Sequence, residues 1–523
     1  MPRADPARSP YCASRHLLRN LDDACALRRN PLAQPYFAAA GALRRGDFAA
    51  DRQALESLRG AVQLALARCR EQAAERGHVG VGRICAALLR CELDNAAPAV
   101  VAAELGLSER QLRRERRAAH DAFLHAFERV AATPRAPASA VDLAALRLAH
   151  AVELHECGQS ALALAACEAM AAAAPLPERR IEALCLAAEA ELDAARFEAC
   201  AQRLAEADAI LALRRRELAA GVVSTAREQI DFVAWSLRRH TGAAGGFAME
   251  PPLVVARAGA ALDPDEARRA LLVRALAAYA MQRWETGDVE HGRDAIRRAQ
   301  AVLGSLDPSR AKERFALMHA DVMLAVLRLP PLNGRAGLLA VEQLAARSGH
   351  ARRLLPVRAE RIGSEVPVLR RPDGICELLL GMFGAAERRT MSLSFATAAR
   401  LVAQYEADPL RGTDAALLAE RFAAPRSAEA MLARCRRAVF ALHLGRYDEA
   451  RALACAIRTG AQELGNGRLH GAAARHLARI ALGQHRVREA QRHVREALPL
   501  LERYGSYESL REANEIARRL GVN

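Results

Sequence analysis

Between Pro98 and Arg117 the chain reads PAVVAAELGLSERQLRRERR. Four of its arginines, Arg110, Arg113, Arg114 and Arg117, are spaced by three and four residues, which on an α-helix gathers them into one stripe. Guanidiniums at that spacing do one kind of chemistry well: they neutralise phosphates and fork onto carbonyl and ring-nitrogen acceptors. Ser108 and Glu109 stand at the start of the same helix, where backbone N–H groups are free to meet an anion. The candidate contact set is Ser108, Glu109, Arg110, Arg113, Arg114 and Arg117. An Arg-rich solvated face has the same periodicity, so the stripe carries weight only through the elements that position it.

Those elements read clearly. Pro98 suits a first helical turn, where its missing N–H costs nothing. Val101, Ala102 and Leu105 then line one face of a short helix, and Gly106 stands where the chain must turn with positive φ. Leu107 plugs the turn, Ser108 is an N-cap, and Gln111 three residues on completes a capping box, together contributing about 1 kcal/mol. Leu112 faces inward toward Val101 and Leu105. A basic stripe on the second helix of such a unit is what major-groove reading requires, so double-stranded DNA is the expected partner.

The segment resembles the helix-turn-helix of bacterial regulators and of sigma factor region 4, in which LGLS is followed by a basic helix. Ala102, Gly106, Leu107 and Leu112 fall on the small, turn and core positions of that pattern. The resemblance implies a DNA-binding domain within residues 17–131, with the helix-turn-helix at 98–117. One departure stands out: Glu115 and Arg116 occupy places where another core aliphatic is usual. The apolar seam resumes at Ala119, Phe123 and Phe127, so the second helix is expected to run to about Val130 against Ile84, Leu88, Leu89 and Leu93.

The whole chain reads as all-α. Hydrophobic residues make up 52% but aromatics only 4%, and the β-branched runs that mark strands are scarce beside Ala, Leu, Arg and Glu. At 523 residues it exceeds one core. Residues 1–16 are expected to be disordered, and Thr133-Pro134-Arg135-Ala136-Pro137, within 132–140, reads as a linker. From 141 to 523 helical patterns follow one another, and four segments share a turn-then-helix signature: Ala195-Arg196-Phe197, Gly287-Asp288-Val289, Gly445-Arg446-Tyr447 and His485-Arg486-Val487. In each, a large apolar residue precedes by three a small one (Cys200, Gly292, Ala450, Ala490), and an apolar residue follows four further on. Ala188, Ala280, Ala438 and Ala478 stand twelve residues before those small positions. This resembles the tetratricopeptide repeat and implies an α-solenoid that binds a protein, a peptide or a small effector; a generic helical array remains the plainer alternative. Residues 241–264 and 329–373 carry Gly and Pro clusters and read as loops or irregular repeats.

Several classes are set aside. No phosphate loop, HExxH or nucleophile elbow occurs, so neither an enzyme nor a cofactor is expected. The pairs His120/His125 and His150/His155 are five apart, which separates them around a helix and suits surface or interfacial histidines better than ligands. Trp235 and Trp284 read as core. The twelve cysteines form no CxxC pair, which leaves reduced thiols and no metal site. The first residues lack the apolar stretch of a signal peptide and no apolar run spans a membrane, so a soluble, cytoplasmic protein is expected. The net charge of +15 permits a polyanionic partner but is thin over this length. Two readings compete: a transcription regulator, and a tetratricopeptide scaffold whose N-terminal helices serve assembly or contact RNA polymerase as sigma-like modules do.

Overall fold

The computed structural model describes residues 9–21, 23–40, 48–74, 86–93, 96–105, 107–131, 143–156, 158–173, 176–243, 251, 266–306, 311–329, 331–348, 351–365 and 379–522. Among them every regular element is helical, and no helix is long and apolar enough to cross a membrane. The chain divides into two compact units, Met1–Ala190 with Ala346–Arg352, and Glu191–Ala345 with Arg353–Asn523.

The first unit opens with α1 (Pro10–Arg19), α2 (Ala24–Leu27), α3 (Gln34–Ala39) and the long α4 (Phe48–Ala74). Residues 10–16, expected to lack structure, are helical. The Ser9 side chain accepts from the Cys12 N–H, and Pro10 sits in the first turn where proline is harmless. A wide π-helix (Ala86–Leu93) follows, then α5 (Pro98–Glu104) and α6 (Glu109–Ala131). Next come α7 (Leu143–Glu156), α8 (Ser160–Ala173) and α9 (Pro177–Asp193), the last of which runs past the end of the unit. One apolar cluster joins Leu17, Phe37, Leu58, Phe123 and Phe127 to Leu154, Ala163 and Ala187. The N-terminal core thus continues past the segment read as a linker, which itself lies outside the described residues. α7 and α8 are apolar with little amphipathic contrast, so their composition identifies helices but not the neighbour each will cover.

The second unit contains α10 (Phe197–Arg214), α11 (Ala220–Thr241), α12 (Glu266–Thr286), α13 (Val289–Leu303), α14 (Ala311–Leu327) and, apart from residues 346–352, α15 (Arg335–Ser348) and α16 (Ala351–Glu365). Beyond these lie α17 (Ala385–Thr390), α18 (Ser392–Tyr405), α19 (Pro409–Phe422), α20 (Ala428–His443), α21 (Tyr447–Glu463), α22 (Gly467–Gly483), α23 (Val487–Tyr504) and α24 (Tyr507–Arg519). Within 329–373, read as loops or irregular repeats, residues 331–348 and 351–365 are helical, whereas 330, 349–350 and 366–373 lie outside the described residues. Of 241–264, only 241–243 and 251 lie among the described residues.

The four turn signatures close helices in one way. Ala195, Gly287, Gly445 and His485 have φ of 57°, 81°, 70° and 59°. The next N–H then reaches back five residues: Arg196 to the Glu191 carbonyl at 2.9 Å, and Asp288 to Arg283, Arg446 to Ala441 and Arg486 to Ala481, each at 2.8 Å. This is the Schellman closure, in which a left-handed residue lets two orphan carbonyls find donors. A new helix starts at once. Cys200, Gly292, Ala450 and Ala490 are buried, as are Leu204, Ile296, Ala454 and Val494 four residues on. Ala188, Ala280, Ala438 and Ala478 are buried too. The plugging residue is less uniform. Val289 is buried and Phe197 and Tyr447 half-buried, but Val487 is 49% exposed and plugs nothing.

Two of these turns place a side chain in the left-handed region, where glycine avoids a penalty of about 1 kcal/mol. His485→Gly should therefore stabilise the second unit by about 1 kcal/mol, measured by urea unfolding. Gly445→Ala should lose a similar amount, since its Cβ would meet nothing within 4 Å. Gly287→Ala should lose distinctly more, because its Cβ would fall 1.7 Å from the Tyr504 carbonyl oxygen.

Candidate nucleic-acid interface

α5 and α6 meet through a small core. Val101 and Ala102 of α5, Leu112 of α6 and Cys91 of the π-helix are buried together, with Ala96 and Leu105 packed against them. The Leu105 N–H donates to the Val101 carbonyl at 3.1 Å, and the Leu107 N–H reaches the Ala102 carbonyl at 2.9 Å, closing the end of α5. Gly106 lies outside the described residues. The start of α6 is the reciprocal box expected from Ser108 and Gln111. The Gln111 N–H donates to Ser108 Oγ at 3.2 Å, and the Ser108 N–H donates to Gln111 Oε1 at 3.0 Å.

This cap and core fix which face of α6 is outside. Leu112, Arg116, Ala119, His120, Phe123 and Phe127 are buried along one side. Ser108, Glu109, Arg110, Arg113, Arg114 and Arg117 are all exposed. Arg113 approaches Glu109 only at 3.9 Å, a loose surface pair. Among the described residues Arg110, Arg114 and Arg117 have no carboxylate within ion-pair distance. Three guanidiniums therefore face solvent with no ion pair among the described residues, in line on the first half of the helix.

Arg116 follows a different course, which explains the departure from the usual pattern. It turns inward to Glu92 on the π-helix, whose carboxylate is fully buried. Glu92 also accepts from Arg19 Nε of α1 at 2.7 Å, and His120 Nε2 lies 3.2 Å away. Arg15 Nε stands at 3.3 Å. Behind them the Ser14 hydroxyl lies 2.9 Å from His120 Nδ1, and Arg19 donates to the Cys91 carbonyl at 3.0 Å. Burial alone would raise the Glu92 carboxyl, but the hydrogen bonds from His120 and Arg116 outweigh it and hold the group at about 2. Where an aliphatic residue would have packed, a buried ion pair bolts α6 to the π-helix and α1. The contact was not legible locally, because Glu92 and Arg116 are separated by 24 positions and only folding joins them.

The other candidates resolve plainly. Of the histidine pairs, His120, His150 and His155 are interior rather than superficial, with His155 Nδ1 3.0 Å from Ser160 Oγ, whereas His125 is exposed. Trp235 is core; Trp284 is only partly buried and borders a cavity. Among the described residues no group of His, Cys, Asp or Glu is disposed to hold a metal ion. In comparisons with protein-family models and with curated proteins, the chain gives no match.

A carboxylate held below its ordinary value stabilises the fold above that value and loses the effect on acidification. For Glu92 the window runs from the usual 4.5 down to about 2. Glu92→Gln should cost about 3 to 5 kcal/mol near neutrality, because it strands buried guanidinium charge. It should also flatten the acid limb of stability between pH 4.5 and 2, followed by circular dichroism at graded urea.

Proposed function

We propose that this chain is a DNA-binding transcription regulator whose reading element is a helix-turn-helix formed by α5 and α6. The observation that carries the reading is the exposed row Arg110, Arg113, Arg114 and Arg117 on a capped helix whose opposite face is anchored by Leu112 and Arg116. In this reading Ser108, Glu109 and Arg110 approach base edges at the helix N-terminus. Arg113, Arg114 and Arg117 clamp or read the duplex beside them. The second unit is read as a tetratricopeptide-like solenoid that receives a protein, a peptide or an effector, supported by its recurrent hairpin closures and buried small residues.

A second reading, a scaffold whose N-terminal helices contact a protein such as RNA polymerase, draws on Val100, an apolar side chain 50% exposed on α5. The two readings separate on the full chain. A DNA reader should lose affinity steeply with salt, and Arg113→Ala/Arg114→Ala should abolish retention of genomic fragments and lower the salt slope by about 2. Since both side chains are exposed, thermal stability should stay unchanged. Unaltered DNA retention in that variant, or the absence of salt-dependent binding in the parent, would sink the groove-reading proposal.

A further inference from the structure

The second unit contains two adjoining, partly open cavities of about 230 and 140 Å³ that share Trp284, Met323, Glu360 and Arg400. In the larger one the arginines are matched from within. Arg239 pairs with Glu285 at 2.5 Å, and Arg400 pairs with Glu429 at 2.7 Å and Glu360 at 3.4 Å. Burial pushes His319 down to about 4 and, with a smaller contribution from Arg239, His240 down to about 3, so neither imidazole adds charge near neutral pH.

The smaller cavity is different. Trp284, Leu327, Leu338 and Leu432 give it an apolar wall, and Arg468 stands among them. Arg468 Nη1 donates to the Trp284 carbonyl at 3.0 Å, and its guanidinium lies 5.1 Å from the centre of the Trp284 ring. Among the described residues no carboxylate reaches Arg468 within ion-pair distance. Burial, and after it the like charge of Arg400, push Arg468 down to about 10, although the carboxylates of Glu360 and Glu285 act in the opposite direction. The Tyr405 hydroxyl borders the same space. It accepts from Gln404 Nε2 at 3.1 Å, which leaves its own proton to donate, and burial pushes it up so that it keeps that proton. Glu360 is engaged by Arg400, and Glu508 sits in the first turn of α24, where the helix N-terminus favours it. Arg468 and Tyr405 therefore present donors to a chamber of mixed lining, whose wall also carries Glu360 and Glu508.

We propose that the smaller cavity binds a small organic anion, a carboxylate carrying an apolar body. Its carboxylate meets Arg468 and the Tyr405 hydroxyl, and its hydrocarbon lies on Trp284, Leu327, Leu338 and Leu432. This deepens the reading of the second unit as effector-binding and does not depend on α6 reading DNA.

The test titrates hexanoate, hexanol and hexylamine separately into the full chain by calorimetry at constant ionic strength. Hexanoate should bind, with hexanol and hexylamine each at least about tenfold weaker, the margin a charge-assisted contact supplies. Arg468→Gln and Tyr405→Phe should each weaken hexanoate by about tenfold, and Arg468→Lys should recover part of the loss. Thermal melting of each variant reports whether it remains folded, and Tyr405→Phe, which keeps the ring, serves if Arg468→Gln does not. Equal binding of hexanol and hexanoate, hexanoate affinity unchanged in folded variants, or no hexanoate binding would overturn the proposal. DNA retention by the Arg113→Ala/Arg114→Ala chain is read separately, so failure of one reading is distinct from failure of the other.

Discussion

The first unit depends on a single buried carboxylate. Glu92 has no solvent exposure, and stripping water from a charged oxygen pair is costly unless every lone pair finds a donor. It meets this demand with donors from two helices, Arg19 of α1 and both Arg116 and His120 of α6. The arrangement does more than neutralise a charge. Arg116 and His120 are one turn apart on α6, so holding both fixes the helix about its own axis. Five arginines fall between positions 110 and 117, and that rotation decides that one is interior and four face outward.

The second unit is governed instead by how its helices end. Each left-handed residue after a helix redirects the chain within two residues, so that the next helix returns alongside the last. Close return is tolerated because the facing positions are small, as at Ala478 with Ala490 and Ala441 with Ala450. Ion pairs then tie neighbouring helices on their flanks, among them Arg437 with Glu420 at 3.0 Å and Arg451 with Glu489 at 2.6 Å. Many arginines of this unit are thus consumed internally. That is why the net charge of the chain says little about a polyanionic partner, and why Arg110, Arg114 and Arg117 of α6 and Arg468, which have no ion pair among the described residues, stand apart.

The functional reading rests on placement. A stripe on a free amphipathic helix would be ordinary in a sequence this rich in arginine. Here the stripe sits beyond a reciprocal cap, on the face opposite a closed core, at the end of the helix where backbone N–H groups point outward. Arg468 is informative for the same reason in reverse: it is a buried cation that, among the described residues, has no carboxylate within ion-pair distance.

What the sequence determined by itself was local. The helical character of the chain, the Ser108–Gln111 box, the inward Leu112 and the four hairpin turns follow from propensity, capping and small-residue spacing within a dozen residues. Even there the reading was incomplete. Gly158-Gln159-Ser160 and Gly465-Asn466-Gly467 make the same closure, with Gln159 bonded to Leu154 and Asn466 to Ala461, yet neither has a large apolar residue after the turn to betray it. Only the tertiary structure decided which faces pair: that α7 and α8 join the N-terminal core, that Arg116 replaces an aliphatic by meeting Glu92, and that Trp284 borders a cavity. The physical reason is range. Caps and periodicity are set by neighbours a few bonds away, whereas a buried charge declares its partner only when distant segments exclude water together.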